Sequence, residues 1–173
     1  MSDTGSWEPL LESVRAVQHE IDTLTGPPPA GGRAGSESVI ARSVAQTKRT
    51  YVNQIVEQIN GSYEKGYYDA CAVMIRRLLE TLIIEAFEHA KDSAAIQAAN
   101  GEFVFLRDLI DAALAQPSWN LGRNCKQAMP RLKDVGDKSA HSRRFLAHRS
   151  DIEKVTSDLR TVVQELVLLA ELQ

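Results

Sequence analysis

Apolar residues recur at steps of three and four along most of this chain, and nowhere do they alternate with polar ones over a useful length. That pattern predicts helices and no strands. The first predicted helix covers about Trp7 to Leu24, where Trp7, Leu10, Leu11, Val14, Val17, Ile21 and Leu24 form one face. Ser6 is placed to cap it, and Pro9 fits a first turn. The stretch Gly26–Ser36 then holds three prolines and four glycines in eleven residues. Such a composition sustains neither helix nor strand, so residues 25–37 read as a flexible linker. A second helix is predicted over Ser38–Asn60, with Val39, Ile40, Val44, Tyr51, Ile55, Val56 and Ile59 inward and Asn60–Gly61 as its end. The third, from Gly66 to about Lys91, is apolar on more than one face: Ala70, Cys71, Val73, Met74, Ile75, Leu78, Leu79, Leu82, Ile83, Ile84 and Phe87. It is the expected central helix. A fourth spans about Phe103 to Ala115, with Phe103, Leu106, Leu109, Ile110 and Leu114 inward and Pro117 as a stop. A short piece near Gly122–Ala128 follows, and Pro130 opens a further turn. The last helix starts at the capping pair Ser150 and Glu153, and its face reads Ile152, Val155, Leu159, Val162, Val163, Leu166, Val167 and Leu169. The predicted architecture is all-α: an antiparallel helical bundle over residues 38–173, preceded by an N-terminal helix (residues 1–24) on a Gly/Pro-rich linker.

Composition agrees with a folded core. Of 173 residues, 43% are hydrophobic and 25% charged, and aromatics are scarce. The N-terminus has no basic region followed by an apolar run, and no stretch approaches the roughly 18 apolar residues of a membrane span. No signal peptide and no membrane contact are therefore expected, and the cytoplasm is the default location. Cys71 and Cys125 lack CxxC spacing; Cys71, inside an apolar helical run, reads as a buried inert thiol. No metal-ligand constellation, phosphate-cradling glycine loop or Gly-x-Ser-x-Gly elbow is present, so no metal and no cofactor are expected.

Charge changes the picture more. Between Arg123 and Arg149 stand eight basic residues, Arg123, Lys126, Arg131, Lys133, Lys138, Arg143, Arg144 and Arg149, against Asp134 and Asp137 alone. That is +6 in 27 residues of a chain whose net charge is −3. A positive field of this kind attracts phosphate; the alternative is a solvated basic loop, or one that pairs with an acidic surface. Phe145 alone is too little for base stacking. His141 and His148 lie in the same stretch, whereas His19 and His89 read as surface positions. Imidazole beside arginine suits a general base whose neighbours steady charge on phosphorus, which is all that a metal-free ribonuclease acting through the substrate's 2′-hydroxyl requires. In the third helix Arg76 and Glu80 share a face at i,i+4. They form either an ion pair that fixes helix packing or, with Arg77, part of an anion site reaching the basic stretch.

These residues also carry a resemblance. Tyr67-Tyr68-Asp69-Ala70-Cys71-Ala72-Val73-Met74-Ile75-Arg76-Arg77-Leu78-Leu79-Glu80 resembles the "aa-vllRrllE" helix of a prokaryotic family, domain of unknown function four-one-four-five, of the HEPN (higher eukaryote and prokaryote nucleotide-binding) superfamily. Leu106–Ile110 resembles its next helix, Leu132–His141 its "lR-xx-GN-x-aaH" signature, and Ser150–Glu153 the start of its closing helix. The likeness covers about Ser38 to Leu169. It implies a helical bundle, frequent homodimers with the Arg–His region near the dimer interface, and a setting such as phage defence or toxin–antitoxin pairs. Active members of the superfamily are metal-independent ribonucleases with an Arg-x(4–6)-His motif. Here Lys133 stands for the family's arginine and Asp137 for its asparagine, and seven residues separate Lys133 from His141. Lysine lacks the two-pronged phosphate contact of arginine, and Asp137 adds negative charge. Arg143-x4-His148 fits the active spacing. Gly136, Ser139 and Ala140 read as small residues for tight packing, which would make His141 a buried structural residue.

The leading expectation is a non-catalytic HEPN-like interaction module, dimeric, binding an RNA or protein partner through Arg131, Lys133, Lys138 and Arg149. The second is a metal-independent endoribonuclease using His141 or His148 with Arg143, Arg144 or Lys133. The third is a structural helical adaptor that docks through its first helix.

Overall fold

The computed structural model describes residue 12, residues 38–41 and residues 46–173. The chain divides into two compact units, residues 1–36 and 37–173. The helix expected over Trp7–Leu24, apart from Glu12, and the linker expected over 25–37 lie outside the described residues, as does Val44.

The second unit is an all-α bundle. Its helices are α1 (Thr50–Glu64), α2 (Tyr68–His89), α3 (Leu106–Ala115), α4 (Arg123–His141) and α5 (Arg149–Leu169), with a 3₁₀ turn at Ser93–Ile96. Among the described residues there is no strand, only an isolated bridge between Gln97 and Phe103. As its apolar circumference predicts, α2 is the hub and packs on α1, α3, α4 and α5. Cys71, Ala72, Ile75, Leu78, Leu79, Leu82, Ile83, Ala86 and Phe87 are all buried. Each fully buried Leu, Ile or Phe contributes roughly 1.5–3 kcal/mol of transfer free energy, so this helix dominates the core. Ile152, Leu159, Val162, Val163, Leu166 and Val167 of α5 are buried as expected, and Phe87 packs at a tilt against Trp119 with ring centroids 4.5 Å apart. Two residues expected inward are not: Tyr51 and Phe103 are 42% and 39% exposed.

Several helix ends differ from the sequence expectation. The second predicted helix does not start at Ser38. Val39 and Ile40 are buried from a non-helical segment, and α1 begins at Thr50. Nor do Asn60 and Gly61 end it. The buried Asn60 amide accepts from Ile40 N–H at 3.1 Å and donates to Ile40 O at 2.9 Å. Arg160 of α5 donates to Val39 O and Ser38 O at 3.0 and 2.7 Å. The asparagine therefore brackets a distant strap instead of terminating its own helix. The end comes at Gly66, where φ is +78°. There Tyr67 N–H bonds Ser62 O at 2.8 Å and Gly66 N–H bonds Tyr63 O at 3.1 Å, the paired bonds of a Schellman motif. The same pairing closes α2 and α5, with Lys91 (φ +57°) and Glu171 (φ +48°) in the left-handed position that glycine adopts most easily.

The short piece at Gly122–Ala128 and the turn at Pro130 are one helix. α4 runs 19 residues through Pro130. The proline is exposed, so water can reach the carbonyl it leaves without a donor. What lets α4 approach the hub closely is Gly136. A Cβ built there would lie 2.5 Å from Arg76 Cβ and 3.0 Å from Ala72 O, so α4 crosses α2 at a distance only glycine permits.

Candidate functional site

The basic stretch from Arg131 to Arg149 is not a loop. Arg131 to His141 belong to α4, Arg149 opens α5, and only residues 142–148 connect them. That connection is pinned. Ser142 Oγ accepts from Phe145 N–H at 3.2 Å, and Asp69 in the first turn of α2 accepts from Ala147 N–H at 3.0 Å. Ala147 is buried, while Arg143, Arg144 and Leu146 are exposed, Leu146 by 65%.

The cap of α5 lies two residues upstream of the expected pair. His148 is the N-cap, and the Asp151 carboxylate accepts from its backbone N–H at 3.0 Å. That bond, with Lys154 and despite some burial, holds the Asp151 carboxyl below the usual range. Ser150 sits inside the first turn, and Glu153 serves another purpose. Its Oε1 accepts from Arg149 Nε at 2.7 Å and from Tyr63 OH at 3.0 Å, while the Arg149 guanidinium lies 5.4 Å from the Tyr63 ring centroid. The Arg149 bond first, and Tyr63 next, lower the Glu153 pKa; burial and then the Glu153 bond raise that of Tyr63. Tyr63 and Glu153 also line a cavity of about 300 Å³ with Ser38, Val39, Thr156 and Arg160.

The other basic candidates are drawn into ion pairs. Arg131 Nε meets Asp158 of α5 at 2.7 Å, and Lys138 meets Asp134 at 2.7 Å. Lys133 Nζ and Arg76 Nε bind the two oxygens of Asp137, at 2.5 and 2.7 Å, and Arg76 also reaches Glu80 at 3.5 Å. Partial burial opposes ionisation of Asp137, but hydrogen bonds from Lys133 and Arg76 outweigh it and hold the carboxyl below its ordinary value. Arg76 is thus the packing ion pair expected with Glu80, extended across to α4, and not an arm toward the connection. Arg77 is exposed on α2 and has no ion pair among the described residues.

His141, the last residue of α4, is exposed, so it is not a buried packing residue. Of the small residues predicted to pack tightly, Gly136 does so against α2, whereas Ser139 is half-buried and Ala140 is exposed. The His148 side chain is 73% exposed, with Nδ1 3.7 Å from Asp151 Oδ2. Arg123 and Lys126 stand at the opposite end of α4, roughly 25 Å away at 1.5 Å per helical residue. The single basic patch therefore divides. What the connection itself presents is Arg143, Arg144, Leu146 and two exposed imidazoles.

Four of the ion pairs, Arg76–Glu80, Lys133–Asp137, Asp134–Lys138 and Arg149–Glu153, stand at i,i+4 on a helix face, the second and third only because α4 is continuous. Asp69, Tyr63 and Asp158 carry no such local signal. Among the described residues no three His, Cys, Asp or Glu side chains are grouped to hold a metal ion, and no helix is long and apolar enough to cross a membrane. No family model, curated protein or solved structure matches this chain.

Proposed function

We propose that this chain is a non-catalytic, HEPN-like interaction module that works as a homodimer and engages its partner through the α4–α5 connection. The observation that carries this reading is the division of the basic residues. Arg131, Lys133 and Lys138 are committed to Asp158, Asp137 and Asp134. Arg143 and Arg144 are exposed with no ion pair among the described residues. A guanidinium already saturated by a neighbouring carboxylate adds little to long-range attraction, whereas an unpaired one steers an anionic partner. The same division counts against catalysis at the family's signature positions. Asp137 accepts from both Lys133 and Arg76, so neither cation is offered to a transition state.

A metal-independent ribonuclease is the second reading, and one observation favours it. His148 is exposed, and a carboxylate lies 3.7 Å from Nδ1, a distance that a small side-chain rotation closes into the orienting bond a general base uses. Purified protein incubated with mixed RNA in EDTA separates the two. The module reading expects no cleavage and salt-sensitive partner binding that weakens in Arg143→Ala/Arg144→Ala. Cleavage abolished by His148→Ala or His141→Ala would replace it with the ribonuclease. Light scattering of the same sample checks the dimer; a monomer at all concentrations removes that part of the proposal.

A further inference from the structure

Resting on that reading, we infer that the partner is an acidic protein segment carrying an apolar side chain, docked on Arg143, Arg144 and Leu146. Three observations separate this from nucleic acid. First, the connection offers an exposed aliphatic side chain beside its cations. Leu146 is 65% exposed, and it is held outward because the neighbouring Ala147 is buried and its N–H is tied to Asp69 at 3.0 Å. Leucine gains from burial against another apolar side chain and gains nothing from a phosphodiester. Second, the surface lacks what a single strand needs. Phe145, the one phenyl ring of the connection, is only partly accessible, which leaves a base nothing larger than the two imidazoles to stack on. Third, there is no track of cations for successive phosphates. Going back along α4 from Arg143, the basic residues Lys138, Lys133 and Arg131 are each bonded to a carboxylate, and the acids Asp134, Asp137 and Asp158 lie among them. A polyanion laid along this helix would meet alternating charge, whereas a short acidic segment needs only the two arginines.

The connection is also organised before binding. Bonds at Ser142–Phe145, Asp69–Ala147 and His148–Asp151 fix residues 142–148 at both ends, so little ordering cost is added on association. Each guanidinium can donate two parallel hydrogen bonds to a carboxylate, and Leu146, two and three residues on, adds an exposed apolar side chain to the same short segment.

Fluorescence anisotropy on the full chain tests this with three probes: a labelled peptide of alternating Glu and Leu, the same peptide with Ser for Leu, and a mixed-sequence single-stranded RNA of equal charge. The Glu/Leu peptide is expected to bind best. Its affinity should fall about tenfold or more in Arg143→Ala/Arg144→Ala and severalfold in Leu146→Ser, and the Glu/Ser peptide should lose a similar factor. Lys138→Ala, which removes a cation already paired, should change it less than twofold. Circular dichroism checks that each variant remains folded; all four positions are exposed. RNA binding as tight as or tighter than the peptide, or no loss in Leu146→Ser, overturns the acidic-segment inference and leaves the interaction module standing. Failure of every probe to bind at low salt overturns both.

Discussion

The crossing of α4 over α2 makes the sharpest prediction, because one methyl group should reverse its usual effect there. Gly136→Ala places a Cβ 2.5 Å from Arg76 Cβ and 3.0 Å from the Ala72 carbonyl oxygen. Carbon atoms pack at about 3.5–4.0 Å, so α4 must retreat by about 1 Å. One of the obstructing atoms is backbone, so no side-chain rotation relieves it. Overpacking of this kind costs about 1–3 kcal/mol, here toward the upper end. Against it stands the gain of about 1 kcal/mol that alanine brings over glycine inside a helix. The net expectation is a loss of about 2 kcal/mol, which for a domain of this size lowers Tm by about 4–8 °C. Retreat would also stretch the 2.7 Å contact between Arg76 and Asp137, the residue next to Gly136 on α4. Gly61→Ala is the matched control. Gly61 is also inside a helix, and an added Cβ meets nothing within 4 Å, so this variant should gain about 1 kcal/mol. Thermal and urea unfolding of both variants, side by side, give the answer. If Gly136→Ala melts at or above the parent while Gly61→Ala rises as expected, the close crossing does not exist.

Further outcomes follow from the same structure. The Asp137 pKa is lowered in the folded state, so its contribution to stability is present above the ordinary carboxylate range and is lost as pH falls through the folded value. Asp137→Asn should therefore cost about 1–2 kcal/mol at pH 7 and flatten the acid limb of stability, read by urea midpoints at pH 7 and pH 3; an unchanged acid limb would refute the network. Lys91→Gly and Glu171→Gly remove a side chain from left-handed backbone at φ +57° and +48° and should each stabilise by about 0.5–1 kcal/mol, measured as an upward shift in Tm. Pro130→Ala restores a backbone donor in mid-α4 and should add about 1–3 kcal/mol, with a rise in helical dichroism as the second readout. Burial pushes the Cys71 and Cys125 thiols up to about 12, Cys125 with help from Glu165, so iodoacetamide at pH 8 should label neither until denaturant is added. Labelling of the folded chain would contradict their burial.

What the sequence determined by itself is whatever acts over one helical turn. The three-and-four spacing of apolar residues specifies the helices and their inner faces, and the all-round apolar Cys71–Phe87 run identifies α2 as the hub. Charges at i,i+4, Arg76–Glu80 above all, announce their pairing because a helix brings them together wherever it lies. What tertiary structure alone decided acts between residues far apart in the chain. Asn60 and Gly61 look like a helix end, yet Asn60 faces Ile40, twenty residues away, and two backbone hydrogen bonds outweigh its preference for a cap. Gly136 reads as a small packing residue, but only the packed helices make Arg76 and Ala72 of α2 its partners, and Pro130 is carried inside α4 by the burial of Met129 and Leu132 on either side. The basic stretch shows the difference most clearly. Its sum of charge is a property of the sequence, but Asp158 reaches Arg131 from α5, and Arg76 reaches Asp137 from α2. Electrostatic neutralisation depends on distances of 3 to 4 Å in space, and those are fixed only when the helices pack.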